Sequence, residues 1–200
     1  MIFGVQWYYW LILAVAVIVA IFAWLKVMSS SRERRERLKK EAEIWKRDYE
    51  LREKYSVLTA EKINECDDTQ LLHAIAMNIQ VQLENAIDMN SAFEKLCEEQ
   101  KNIYTLEYFD EDAKIALSNF FKNNGAPLVP NIKNALIAVD SEELVEFIEA
   151  LYPMYDPDSE VSIDIPLIQK TDEHFAEVYD SDKLCRKAAG YIKANKVKFL

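Results

Sequence analysis

The sequence predicts an all-α protein: a single N-terminal transmembrane helix, a charged helical stalk and a compact multi-helix cytoplasmic domain. Three observations carry this. Residues 7–25 are 19 consecutive positions without a charge or a side-chain amide, and residues 29–55 set acids and bases four positions apart. The remainder repeats its apolar residues at helical intervals, with only Gly4, Gly125 and Gly190 in the whole chain. The expected segments are a membrane anchor over 1–28, a charged stalk over 29–57 and an acidic helical domain over 58–200.

At the α-helical rise, 19 residues span roughly 28 Å, close to the thickness of a bilayer's hydrocarbon core. Trp7 and Trp10 flank Tyr8 and Tyr9 at one end of the run, and Trp24 with Lys26 marks the other, so both ends carry groups that prefer the headgroup level. A cleaved leader needs a basic start and a shorter apolar stretch, whereas the first ten residues hold no Lys or Arg. The helix is therefore expected to be retained as a signal-anchor. Arg32, Arg34, Arg35, Arg37, Lys39 and Lys40 follow it closely, which sets the N-terminus outside and the rest of the chain in the cytoplasm, on a single-pass cell-membrane protein. Beside an anionic leaflet such a cluster gains about 1 kcal/mol per charge, so membrane lipid is an expected, unspecific partner.

In the stalk, Glu33 with Arg37, Glu36 with Lys40, Glu43 with Arg47 and Glu50 with Lys54 place the acid first, the favourable order on a helix. Leu38, Ala42, Trp45 and Tyr49 draw one apolar stripe along it. That stripe has two readings, packing on the following domain or self-association of the chain as a homodimer.

Seven helices are expected in the domain. Asp67 with Gln70 caps a helix over 68–86 carrying Leu71, Leu72, Ile75, Ile79 and Leu83, and a second spans 90–107 with Phe93, Leu96, Cys97, Ile103 and Tyr104 inward. Asp110 caps a third that ends before Gly125 and buries Ile115, Leu117, Phe120 and Phe121 at least in part. Pro130 opens a fourth through Val139, after which Asp140 and Glu143 form a cap pair before Leu144, Phe147, Ile148 and Leu151, and Pro153 stops that helix. Residues 153–169 read as a long loop with one short extended segment at Val161, Ile163 and Ile165, followed by last helices over 171–179 and 181–195. The last two share this final stretch.

Residues 59–200 hold 27 Asp and Glu against 13 Lys and Arg, a net charge of −14, while residues 1–58 carry +4. An acidic domain is repelled by phosphate backbones, so nucleic acid is not an expected partner. The scarcity of glycine excludes dinucleotide fingerprints and P-loops. Cys66, Cys97 and Cys185 are odd in number and widely spaced, as for buried thiols in a reducing compartment. His73 lies on an apolar helix and reads as a packed histidine. His174 and Glu177 are three apart, but a bundle dimetal site needs a second such pair, which the chain lacks. No catalytic residue, metal or cofactor is therefore expected. The carboxylate groups Asp110, Glu111 and Asp112, and Asp156, Asp158 and Glu160, read chiefly as caps and solvated turns that can also attract a basic partner; the second group lacks the Gly and closing Glu of a calcium loop. Glu142 and Glu146 join Asp110, Glu111 and Asp112 as the candidate partner-binding carboxylates.

Residues 111–125, Glu-Asp-Ala-Lys-Ile-Ala-Leu-Ser-Asn-Phe-Phe-Lys-Asn-Asn-Gly, resemble the core of a bacterial family of acidic all-helical domains that includes a DNA-mimic protein. In that family the segment resembles Glu-Val-x-Asn-Gly-Gly-Phe-x-Gln-Phe-Phe-x-Asn, and Leu117, Phe120, Phe121 and Asn123 match it by type or identity. The similarity extends through Ala135, Leu136 and the 140–151 helix to the ending Tyr191-Ile192-x-x-Asn195-x-x-x-Phe199, across residues 69–200. Ile115 and Ala116 replace the double glycine and Lys114 the preceding Asn. The resemblance implies an all-helical fold and, as for the mimic, a dimer whose carboxylates imitate DNA phosphates before a DNA-binding regulator. The functional expectation is a membrane-anchored cytoplasmic protein-interaction module that meets a basic protein surface through ordered carboxylates. The alternative is a structural or scaffold component of the cell envelope that oligomerises through the transmembrane helix and stalk.

Overall fold

The computed structural model describes residues 34–36, 38, 39, 42–47 and 49–200. The expected transmembrane segment, with Trp7, Trp10, Trp24 and Lys26, lies outside the described residues, as do Arg32, Arg37 and Lys40. Among the described residues all regular structure is helical, and no helix is long and apolar enough to cross a membrane. The chain divides into two units, Met1–Glu50 and Leu51–Leu200.

In the first unit every described residue is helical and exposed, including Arg34, Arg35 and Lys39. Its apolar stripe is exposed too, with Leu38 at 54 %, Trp45 at 77 % and Tyr49 at 67 %.

The second unit begins at Leu51 rather than at residue 58, because Tyr55 belongs to its core, where it is only 2 % exposed. Asn78 Nδ2 ties this entry down by donating to the carbonyls of Tyr55 at 2.9 Å and Ser56 at 3.1 Å. A short helix that the sequence reading missed, α1 (Ala60–Glu65), follows; Thr59 Oγ1 caps it by accepting from the Lys62 amide at 3.2 Å. Its six residues bury only Ile63, too little to draw a periodic pattern. The helix expected over 68–86 is α2 (Asp68–Glu84), capped by Asp67, which accepts from the Thr69 amide at 2.8 Å.

The single helix expected over 90–107 is two, α3 (Met89–Glu94) and α4 (Glu98–Ala113). The apolar spacing runs through the break, but the Cys97 amide donates to Gln100 Oε1 at 3.2 Å and starts a new helix there. Asp110 does not cap the next helix, since α4 continues past it and buries it. α5 (Leu117–Asn123) starts after Ala116, buries Leu117, Phe120 and Phe121, and leaves Ile115 outside at 79 % exposure. Ala116 offers no side-chain cap. Asp172, from a helix 54 positions on, supplies one by accepting from the Ser118 amide at 2.8 Å and the Ser118 hydroxyl at 2.7 Å.

α6 (Leu128–Ala138) follows a cis Ala126–Pro127 bond. Asp140 is not the N-cap of the following helix; it ends α6 with φ 54, a left-handed conformation. The Ser141 amide bonds back to Leu136 O at 2.9 Å and the Asp140 amide to Ile137 O at 3.1 Å, so the last carbonyls of α6 are satisfied as a glycine C-cap would satisfy them. Asp fills the position because its short polar side chain tolerates that region. A 3-10 turn (Glu142–Leu144) then enters α7 (Val145–Tyr155). Pro153 does not stop α7 but lies inside its last turn, where packing of Met154 and Tyr155 offsets the lost backbone bond. The loop after α7 is shorter than expected. Asp164 accepts from the Leu167 amide at 3.1 Å, Pro166 fits the first turn, and α8 (Ile165–Val178) begins six positions before residue 171. Val161, Ile163 and Ile165 form no strand and are exposed. α9 (Ser181–Ala194) completes the set, capped by Asp180.

α4 is the central helix, packed against α2, α5, α6 and α9, while α7 and α8 pack on each other and on α5. Phe109 of α4 anchors an aromatic cluster. Its ring meets Phe120 edge-on at 5.4 Å and Phe175 at 6.1 Å, and Phe147 meets Phe175 at 5.5 Å. Each fully buried ring contributes about 1.5–3 kcal/mol through area alone, and edge-to-face pairs add about 0.5–1.5 kcal/mol.

Candidate functional site

α4 buries polar as well as apolar side chains: Asn102, Thr105, Glu107 and Asp110 all lie inside. These positions face neighbouring helices rather than water, so each of these groups needs a partner there. Asn131 of α6 donates to Thr105 Oγ1 at 3.0 Å and to Asn102 Oδ1 at 3.3 Å. The last two turns hold the denser cluster.

Asp110 is 3 % exposed and faces α8 and α9. Its Oδ1 accepts from the Tyr179 hydroxyl at 2.5 Å, and Lys114 Nζ lies 2.6 Å from Oδ2, with the Cys185 thiol 3.9 Å from that same oxygen. Burial, then the Asp110 charge, raises the Tyr179 phenol far above its ordinary range, and the same two causes push the Cys185 thiol up to about 11. Cys185 is thus a neutral thiol at physiological pH rather than a nucleophile. For Lys114, burial works against the ammonium, but the bond to Asp110 outweighs it and the lysine is held above its ordinary value.

On the side facing α2, Glu107 is 8 % exposed, and its Oε1 meets His73 Nδ1. Glu111, one turn along α4 and more exposed, brings a second carboxylate. Donor atoms of His73, Glu107 and Glu111 all lie within 4.8 Å of one another. Burial first, and the neighbouring Glu107 second, raise the Glu111 carboxyl above its ordinary value. This is the one group on the described residues whose donor set suits a metal ion.

The carboxylates singled out from the sequence separate into different settings. Asp110 is not a surface group, because its burial and partners consume it. Asp112 is half-buried and accepts from Asn123 at 2.7 Å and Asn124 at 2.7 Å, which is the role Asn123 plays; Leu117, Phe120 and Phe121 are core residues. Glu111, Glu142 and Glu146 are exposed. His73 faces Glu107, and the Cys97 thiol lies 3.7 Å from Lys198 O. His174 packs its ring edge-on against Phe147 at 5.1 Å, with no metal-ligand group around it among the described residues. The His73, Glu107 and Glu111 group was missed. The four-residue spacing of Glu107 and Glu111 was the only signal, and the approach of α2 that completes the group is tertiary.

A further feature lies where α7 ends. Phe121, Tyr152 and Tyr155 form the aromatic wall of a cleft of about 440 Å³, Asp156 and Asp158 supply its carboxylates, and no Lys or Arg lines it. Phe121 stacks on Tyr155 with centroids 5.2 Å apart. Burial, then the Asp156 charge, raises the Tyr152 phenol, and burial followed by Asp172 raises that of Tyr155. No protein-family model, curated protein or solved structure matches the chain.

Proposed function

We propose that the chain is a membrane-anchored cytoplasmic protein-interaction module, held by the apolar run over 7–25, whose acidic domain receives a basic side chain of a partner protein. The cleft at the end of α7 carries this reading: two tyrosines and two aspartates line it and no cation competes. A Lys or Arg entering such a cleft gains from the ring faces and the carboxylates together. The net charge of −14 over residues 59–200 steers a basic partner towards the domain, and Glu142 and Glu146, before and at the start of α7, add to the acidic field without ion-pair partners among the described residues. The resemblance to the family of the DNA-mimic protein agrees with this reading.

The test is a titration of the detergent-solubilised full chain with an arginine-rich peptide at rising salt. Binding that weakens steeply with salt, and falls about tenfold or more in D156N/D158N while E160Q leaves it intact, supports the cleft. Equal binding by all three proteins overturns it. Retention in alkaline-washed membranes, with the C-terminal domain protected from external protease, tests the anchor and its orientation. The second reading, a scaffold that self-associates through the stalk, rests on the exposed stripe of Leu38, Trp45 and Tyr49. In that case W45A/Y49A lowers the oligomeric mass measured by light scattering.

A further inference from the structure

We propose that His73, Glu107 and Glu111 bind a divalent first-row transition ion of the zinc class at the junction of α2 and α4. The donor set is one imidazole nitrogen and two carboxylate oxygens. Imidazole selects zinc-class ions over magnesium and calcium, which take oxygen alone, and three protein ligands leave a position for water or a substrate group. The two carboxylates supply the two negative charges that neutralise a dication.

Placement supports the assignment. Glu107 and Glu111 stand four apart on one helix and so share a face, and His73 comes from the helix packed against that face. Glu107 is fixed by burial, which gives the site a rigid ligand. Donors bound to one ion at about 2.1 Å stand no more than about 4.2 Å apart, and the three donor atoms already lie within 4.8 Å of one another, with Glu111 exposed and able to adjust. Lys114, the cation just past the end of α4, already engages Asp110 at 2.6 Å. Glu111 has no ion-pair partner among the described residues, although it stands one turn from Glu107. Two carboxylates on one helix face repel each other, and a shared dication turns that repulsion into attraction.

A metal-free charge cluster is the competing account, in which His73 pairs with Glu107 and, with Lys114, also attracts the Glu111 carboxylate across the gap. The experiment uses the full chain in detergent, stripped with a chelator and titrated with Zn²⁺ by calorimetry, with Co²⁺ as a spectroscopic probe of the ligand field. The expected result is one ion per chain, weakened at least ~10-fold by H73A and by E111Q. E111Q alters an exposed side chain, so its circular dichroism stays that of the parent and its loss of affinity reports the site itself. Excess Mg²⁺ does not displace the ion. Absence of saturable binding, or Zn²⁺ binding that survives E111Q and H73A and disappears when Cys66, Cys97 and Cys185 are replaced, overturns the proposal.

Discussion

Carboxylates occupy two opposite settings in this molecule, the buried end of α4 and the exposed flank of α7. On α4, Asp110 and Glu107 each have dedicated partners from another helix, at the Tyr179 hydroxyl and the His73 imidazole. At the start of α7, Glu146 and, in the 3-10 turn before it, Glu142 face water without ion-pair partners among the described residues. Charge of one sign therefore does two jobs: the first set fixes helices to one another, and the second projects a field. Substitutions in the first set should register in stability, those in the second in association and its salt dependence.

The largest effect is expected from D110A, which strips the Tyr179 hydroxyl and Lys114 of their shared acceptor. It should lower unfolding stability by about 2–4 kcal/mol, read as a shift of the urea midpoint. A loss below about 1 kcal/mol would erase the distinction between the two settings. D172A comes next at about 1–2 kcal/mol, because it uncaps α5. Asp172 sits on α8 with both its bonds to Ser118, which places it with the structural set, and a neutral outcome would move it to the other.

The pH dependence sharpens the contrast, because two glutamates shift in opposite directions. The Lys183 hydrogen bond, assisted by Lys187, lowers Glu143 to about 2. Its folded value lies below the unfolded one near 4.5, so its stabilisation is present above that pH and lost as pH falls towards 2. With Glu143 about 40 % exposed, screening keeps this under about 1 kcal/mol. Glu111 is raised by burial and by Glu107, so in the metal-free protein its ionisation removes stability as pH climbs above the ordinary carboxyl range. E143Q should flatten the acid limb of the stability curve, and E111Q should raise stability at neutral pH; equal slopes in all three proteins would contradict both. The smallest effect belongs to E142Q/E146Q, whose urea midpoint should stay within about 0.5 kcal/mol of the parent.

The all-helical class was legible because three glycines and helical apolar spacing leave little else. Helices with a local signal came out well: Asp67 marks the start of α2, and the helix expected over 181–195 is α9 (Ser181–Ala194). Errors fell where the deciding interaction is subtler or distant. Asp110 and Asp140 look like caps in one dimension, yet one is buried by helices far along the chain and the other closes the helix before it. The three-residue break at 95–97 is invisible to periodicity because Leu96 and Cys97 continue the apolar rhythm. Of the candidate site, the sequence offered Glu107 and Glu111 on one face but nothing to say that α2 presents His73 to them.

The borrowed cap on α5 bears on how the chain is made. A nascent polypeptide that has emerged only as far as residue 171 holds Phe120 and Phe121 on a helix whose opening turn still lacks its acceptor. Phe175 of α8 also joins the aromatic cluster, so a ribosome stalled before α8 and α9 emerge should display a protease-sensitive fragment that the remaining codons render resistant.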